Sequence, residues 1–205
     1  MNRFLAVISA LLVATSAGAQ NGPQFTELNP PQPTVGEEGN KIEVVEFFWY
    51  GCPHCYSIEP LVEKWEKTLP PDVAFRRLPA AFNARWAHDA AIFYTFEALG
   101  VLDKVHRPFF DAIHQNGLRT DDPKALDEWV KNHGIDPKKF NDTMKSFSVQ
   151  AKTRRAAQLT ASYKIDGTPA FAVAGRYTVS AEQGRTREGM LKTVDYVIDM
   201  VRKAK

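Results

Sequence analysis

The sequence predicts an α/β domain built on one sheet, with an all-helical domain inserted into it. Three observations carry that prediction. "KIEVVEFFWY" and "VAFRRLP" flank a helix and make a β-α-β unit; the stretch from about Trp86 to Phe147 is helical in its spacing throughout; "AFAVAGRYTVS" and the segment after it return the chain to sheet and close on a helix. The expected division gives 20–84 and 149–205 to the two parts of the sheet domain and 85–148 to the insertion, after an N-terminal segment 1–19.

Each element has a local reason. "NGPQFTELNPPQPTVGEEGNK" is rich in Pro, Gly and Asn, so it reads as an extended lead with one short strand near Phe25 to Leu28. β-branched and aromatic residues without a helical period make "KIEVVEFFWY" a central strand covered on both faces. Gly51 ends it, Pro53 suits the first position of a helix, where its missing N–H costs nothing, and Ile58, Leu61, Val62 and Trp65 carry that helix toward Pro70-Pro71. In the helical block, Trp86, Ala90, Phe93 and Phe96 repeat until Gly100. Val101, Val105, Phe109 and Ile113 continue the period across Pro108, which is expected to break or kink the helix. Asp122-Pro123 and Asp136-Pro137 each set an N-cap before an N1 proline, and Gly134 closes the helix holding Leu126, Trp129 and Val130. A longer helix, about Ser148 to Tyr163, leads back to a hairpin around Ala174-Gly175, and Met190, Leu191, Val194, Val197, Ile198 and Val201 stripe the last helix. There is no internal repeat.

"MNRFLAVISALLVATSAGA" has one basic residue, Arg3, then an apolar run from Phe4 to Val13, then Ala17-Gly18-Ala19. That is the order of a secretory signal, with cleavage expected after Ala19; the apolar run is too short to span a bilayer as an anchor. The mature chain is expected outside the cytoplasm, where disulfides persist. Loss of Arg3 takes the formal charge of +2 to +1 (2 − 1), so the surface is nearly balanced and nucleic acid is not an expected partner. Arg76-Arg77 and Arg154-Arg155 read as solvated faces. With 44% hydrophobic and 11% aromatic residues the chain can build a core without cysteine staples.

The only two cysteines are Cys52 and Cys55, in "YGCPHCYS". As a staple the pair is poor: closing four residues constrains the unfolded chain by about 1.9 kcal/mol before strain is subtracted. Metal binding fares no better, because a closed zinc site wants four ligands and His54, His88, His106, His114 and His133 show no ligand spacing. Redox chemistry fits the pattern. Residues at i and i+3 on a first helical turn share a side, with Cβ atoms about 5 Å apart, near enough to bridge and to reopen. Cys52, at the end of the strand, meets the free N–H groups and positive dipole end of the helix, which favour a thiolate; His54 can add hydrogen bonds or positive charge. Cys52 is therefore expected to be the acidic, exposed sulfur and Cys55 the buried resolving one.

"EFFWYGCPHCYSIEP", the Gly167-Thr168-Pro169-Ala170 turn, "GVLDKVHRPFF" and the split order of elements resemble the DsbA family of periplasmic thiol:disulfide oxidoreductases, thioredoxin-like folds with an inserted all-helical domain. The likeness covers nearly the whole mature chain. A bare C-x-x-C is weak; with Pro53-His54 inside it, a strand before it and Pro169 standing 114 residues after Cys55, it is specific. The resemblance implies that Glu46 is the family's buried acid, and strand alternation agrees, placing it with Val44 and Phe48 where burial would raise its pKa; the competing reading is an exposed strand residue. Glu59 matches an acidic position on the active-site helix but is left out of the site, since a solvent-facing charge explains it equally well. Pro169 matches the family's cis-proline, which would bring the backbone of Thr168 beside Cys52 to pair with an extended substrate; the residues themselves say only that a turn is there. Trp49 and Tyr50 either line the peptide site or pack in the core, with the core favoured.

The implied activity is donation of the Cys52–Cys55 disulfide to newly exported, unfolded proteins with free cysteines, through a mixed disulfide at Cys52 and with no bound cofactor or metal. Re-oxidation is implied to come from an inner-membrane, quinone-linked oxidase of the DsbB kind, and a monomer is expected. Two other readings stay open: a reductant or isomerase on the same fold, separated by redox potential, and a peptide-binding chaperone whose activity would survive loss of both cysteines.

Overall fold

Strand β2 (Ile42–Phe48) is buried at every residue, its two glutamates Glu43 and Glu46 included, as a strand with neighbours on both sides and both faces covered requires. In the computed structural model, which describes residues 22–36 and 39–204, it is one of the inner strands of a five-stranded mixed sheet. The segment read as a secretory signal, and its cleavage after Ala19, lie outside the described residues. β2 pairs in parallel with β3 (Val73–Pro79), across helix α1 (Pro53–Glu66), and antiparallel with β4 (Ala170–Val173); β5 (Tyr177–Ser180) and the two-residue β1 (Thr26–Glu27) complete the sheet, in the order β1-β5-β4-β2-β3. The parallel register sets Glu46 directly opposite Arg77. Successive side chains alternate faces, so these two charges share one side of the sheet.

Between β3 and β4 come five helices: α2 (Ala84–Ala98), α3 (Leu102–His114), α4 (Pro123–Asn132), α5 (Pro137–Met144) and α6 (Phe147–Ser162). The expected caps form. Asp122 accepts from the N–H groups of Lys124 and Ala125, and Asp136 from that of Lys139, each with proline at the first helical position. Gly100 stops α2 at φ +68, but Pro108 does not break α3, which runs from Leu102 to His114. Proline removes one hydrogen bond at a cost of about 3 kcal/mol, and the buried face on both sides of it, Val105, Phe109, Phe110 and Ala112, outweighs that. The last helix is α8 (Arg187–Lys203), and a four-residue helix α7 (Ala181–Gly184), not expected, precedes it. Ser180 and Gln183 cap α7 reciprocally, a signature that was present in the sequence.

Three clusters of buried side chains hold the layers together. One face of the sheet packs on α1 and α8 through Val44, Ile58, Val62, Phe171, Val194 and Val197. The other packs Val45, Phe47 and Leu78 on Ala156, Leu159 and Tyr163. The third joins Phe48, Tyr50, Cys52 and Cys55 to Phe93, Phe96, Phe109 and Phe110, so the two cysteines are seated in the core of the helical insertion. Gly175, at φ +65, closes the β4–β5 turn against the lead, where a Cβ would stand 2.1 Å from the Gln32 carbonyl oxygen.

Candidate active site

Cys52 is the N-cap of α1. Its extended backbone (φ −86, ψ 115) turns the sulfur back over the first helical turn, where it accepts from the Cys55 N–H at 3.3 Å, and Pro53 takes the first helical position. The sharp turn before it needs glycine: a Cβ on Gly51 would lie 2.3 Å from the Trp49 ring. That ring stacks on Trp86 with centroids 4.2 Å apart and donates Nε1–H to Asp89 at 2.7 Å. Tyr50 is buried edge-on against Phe48, Phe109 and Phe110, so of the two aromatic residues Tyr50 is core and Trp49 half-buried.

The turn before β4 meets the cysteines from the other side. Thr168 and Pro169 are joined by a cis peptide bond, and the Thr168 carbonyl oxygen lies 3.3 Å from Cys52 Sγ. Both cysteines are free thiols. Cys52 was expected to be exposed; it is 6% exposed and Cys55 0%, because the Thr168 loop and the helical insertion close over the pair. Their proton affinities are driven apart. Hydrogen bonding from the Cys55 thiol, opposed by burial and helped by Thr168 and the backbone N–H groups of Cys55 and His54, brings Cys52 down to about 5. Burial, then the neighbouring Cys52 sulfur, pushes Cys55 well up.

Beneath β2 lies a buried charge cluster. Glu46 is fully buried, neither carboxyl oxygen accepts a hydrogen bond, and Arg77 Nε stands 3.6 Å away. Arg77 also pairs with Glu59 at 2.8 Å and Glu66 at 2.9 Å. Desolvation, then the Glu59 charge, raises Glu46 to about 8 against the pull of Arg77. For Glu59 burial raises the pKa as well, but His106 and Arg77 outweigh it and hold the carboxyl below its ordinary range.

A family model, the DSBA-like thioredoxin domain, matches residues 77–192. The chain belongs to that DSBA-like family. It is 45% identical over 199 residues to the thiol:disulfide interchange protein DsbA of Bordetella parapertussis, covering 97% of this chain and 94% of the relative. It is 39% identical to the DsbA of Pseudomonas aeruginosa over 89% of this chain and 86% of that one. A crystal structure of Pseudomonas aeruginosa DsbA superposes with a TM-score of 0.82 at 38% identity, covering 88% and 93% of the two chains, and reduced DsbA1 of Neisseria meningitidis with 0.74 at 30%, covering 92% and 97%. Like its DSBA-like relatives, this chain is a disulfide-transferring oxidoreductase on a thioredoxin-like fold with inserted helices.

Against that family frame, Cys52, Pro53, His54, Cys55, Thr168 and Pro169 converge on one turn, and Glu46 is buried as its strand position implied. Two residues were misread. Arg77 is not a solvated charge but 16% exposed at the centre of three carboxylates. Glu59, left out of the site as solvent-facing, is 1% exposed, and its signal was in the sequence: it stands four residues after Cys55 and three before Val62, on the buried stripe of α1. Of the two contributions expected of His54, hydrogen bonds or positive charge, the hydrogen bond is the one present, and it comes from the backbone. The His54 side chain is exposed, and what reaches Cys52 is its backbone N–H. His54→Ala, which keeps that N–H, should therefore leave the thiolate titration of Cys52 nearly in place. His54→Pro, which removes it, should raise the Cys52 pKa by roughly one unit, the scale of a charge-assisted hydrogen bond. Thiolate absorbance against pH checks both; equal shifts would return the effect to the imidazole.

The raised pKa of Glu46 is also a statement about stability. A carboxyl with a higher pKa in the fold than out of it favours folding below the unfolded value, and that advantage is lost as pH rises through the folded value. Between pH 4.5 and about 8 the wild type should thus lose stability that Glu46→Gln retains. The gap is on the order of 3 kcal/mol at neutral pH and near zero at pH 4. Urea melts at the two pH values read it, and a gap independent of pH would mean that Glu46 is not the titrating group.

Proposed function

We propose that the oxidised chain donates its Cys52–Cys55 disulfide to newly exported proteins that carry free cysteines. The substrate thiolate attacks Cys52 Sγ, a substrate–Cys52 bond forms and the Cys52–Cys55 bond breaks, leaving the electron pair on Cys55. Buried Cys55 has a raised affinity for a proton, and Glu46, protonated at neutral pH, is its donor. A second substrate thiolate then attacks the substrate sulfur of the mixed disulfide, and Cys52 leaves as a thiolate. Two electrons have passed to the enzyme pair. A low pKa makes Cys52 the better leaving group in that last step.

The observation that carries this reading is the opposite displacement of the two thiols, Cys52 down to about 5 and Cys55 up, with only Cys52 against the Thr168 carbonyl. Thr168 and Pro169 form the substrate side: an extended peptide pairs along the Thr168 backbone, which puts its cysteine over Cys52. Pro53 starts the helix and His54 supplies an N–H. Residues 20–84 and 149–205 act as the thioredoxin-like domain and 85–148 as the inserted one. No cofactor takes part. The setting is the periplasm, after removal of 1–19 as a signal, the enzyme acts as a monomer, and an inner-membrane, quinone-linked oxidase of the DsbB kind restores the disulfide. Nucleic acid has no part in it. The test mixes oxidised protein with a reduced, unfolded polypeptide holding two cysteines. One substrate disulfide should form for each enzyme disulfide lost. Assistance that persists when both cysteines are replaced would favour a chaperone instead.

A further inference from the structure

His106, on α3, lies outside the pair of cysteines and the acid beneath them, yet its ring reaches both sides of the site. It is 7% exposed and walled by Phe48, Phe93 and Phe110, with ring centroids 5.2 to 6.0 Å away. Nδ1 is 2.9 Å from the hydroxyl of Tyr50, two residues before Cys52. Burial holds the Tyr50 phenol well above its ordinary pKa, so it keeps its proton and donates to Nδ1. Nε2 is then the N–H edge of the ring, and it faces Glu59 Oε1 at 3.5 Å, a bond dipole aimed at the carboxylate without a formed hydrogen bond.

That same Oε1 accepts from Arg77 Nη2 at 2.8 Å, while the Nε edge of Arg77 faces Glu46 at 3.6 Å and Nη1 pairs with Glu66. One guanidinium charge is therefore divided among three carboxylates, two of them almost without solvent to screen them. We propose that His106 is a positioning residue for the disulfide chemistry: pinned by Tyr50, it holds the Glu59 carboxylate ionised and engaged with Arg77, and so decides how much of the Arg77 charge is left for Glu46. The proposal rests on reading Glu46 as the proton donor to Cys55.

The groups that face His106 are Tyr50 from the turn after β2, Glu59 from α1 and, behind Glu59, Arg77 from β3; α2 faces it with the Phe93 ring. On its own helix Asp103 and Arg107 flank it in a cavity of about 520 Å³, open to solvent, that Glu59, Arg77 and His106 also line. Glu63, Glu66 and Lys67 line the outer part of α1 there. Glu46 is closed off from water. Its charged neighbours are thus adjusted from a wet cavity by a side chain that the inserted helices supply.

The direction of the effect follows from the signs. Without the imidazole, Glu59 holds a proton more readily; its like-charge push on Glu46 falls and Arg77 is freed to act on Glu46. His106→Phe, which keeps the packing and removes both nitrogens, should move the titration of Glu46 to lower pH, followed by carboxyl NMR of the reduced full chain. The Cys52 thiolate titration, set by its own hydrogen bonds, should stay. His106→Gln, whose amide N–H can point the same dipole at Glu59, should restore the wild-type Glu46 titration, and Tyr50→Phe, which unpins Nδ1, should shift it down by less than the Phe variant does. An unmoved or raised Glu46 titration in either phenylalanine variant, or a Gln variant displaced as far as His106→Phe, overturns the proposal. Failure of the underlying reading shows elsewhere: the pH profile of substrate oxidation would then be the same with and without Glu46→Gln, whatever the carboxyl titrations do.

Discussion

Cys52→Ala should abolish disulfide transfer, and Cys55→Ala, loaded beforehand as a mixed disulfide of Cys52 with glutathione, should exchange the glutathione for a substrate thiolate and accumulate substrate adducts through Cys52. The asymmetry follows from the site. The Cys52 sulfur caps α1 beneath the Thr168 carbonyl and is held as a thiolate above about pH 5, so it is the sulfur an incoming peptide meets and the one that leaves last. Cys55 is fully buried and keeps its proton. Once Cys55 is gone, a mixed disulfide at Cys52 can be released only by a second substrate thiol. Its lifetime should rise enough for adducts to survive on a non-reducing gel, with each band returning to free enzyme on reduction. Adducts that form in Cys52→Ala and not in Cys55→Ala would reverse the assignment.

The reduced protein should be more stable than the oxidised protein at neutral pH, against the usual effect of a disulfide. Cys52 is lowered from 9.0 to about 5 in the fold. A depressed pKa stabilises the fold fully above the unfolded value, and the contribution is lost as pH falls through the folded one. At neutral pH about two of those four units are realised, close to 3 kcal/mol, whereas closing a four-residue loop contributes about 1.9 kcal/mol before strain is subtracted. The disulfide form has no thiolate and gains none of the first quantity. Burial of Glu46 burdens both forms and largely cancels from the difference. An oxidant with a stabilised reduced form is a known property of this family, so the direction is inherited as well as argued. Urea melts of the two forms should show the reduced one ahead at pH 7 and behind below pH 5. An oxidised form that is equal or ahead at pH 7 would make these cysteines a staple.

The sheet and the reacting turn were legible because their signals are local. β3 was read residue for residue from "VAFRRLP", the two Asp-Pro caps from adjacent positions, and the redox pair from its spacing before a helix. The cis form of Thr168-Pro169 was not in the residues, which specify only a turn, and it came from resemblance. The buried charges were the opaque part. Whether Arg77, Glu59 and His106 lie inside depends on one another: each is a surface residue by composition and becomes affordable inside only when three elements bring the others to it. Glu46 could be placed because a strand neighbour's face fixes its own. Arg77 follows from the parallel register opposite Glu46, which no single segment displays.

The central claim is that this dithiol is poised to give its disulfide away. Equilibrating the protein against glutathione buffers of graded composition at pH 7 tests it most directly, because the potential of the pair separates a donor from a reductant. Thioredoxin, with a nucleophilic thiol near pKa 7 and a potential of about −270 mV, is the reference. A Cys52 pKa of about 5 stabilises the reduced form at pH 7 by close to two further units. At about 30 mV for each 1.4 kcal/mol in a two-electron couple, the potential should lie at least about 50 mV above that of thioredoxin. A potential at or below that of thioredoxin would contradict a disulfide donor and make this chain a reductant.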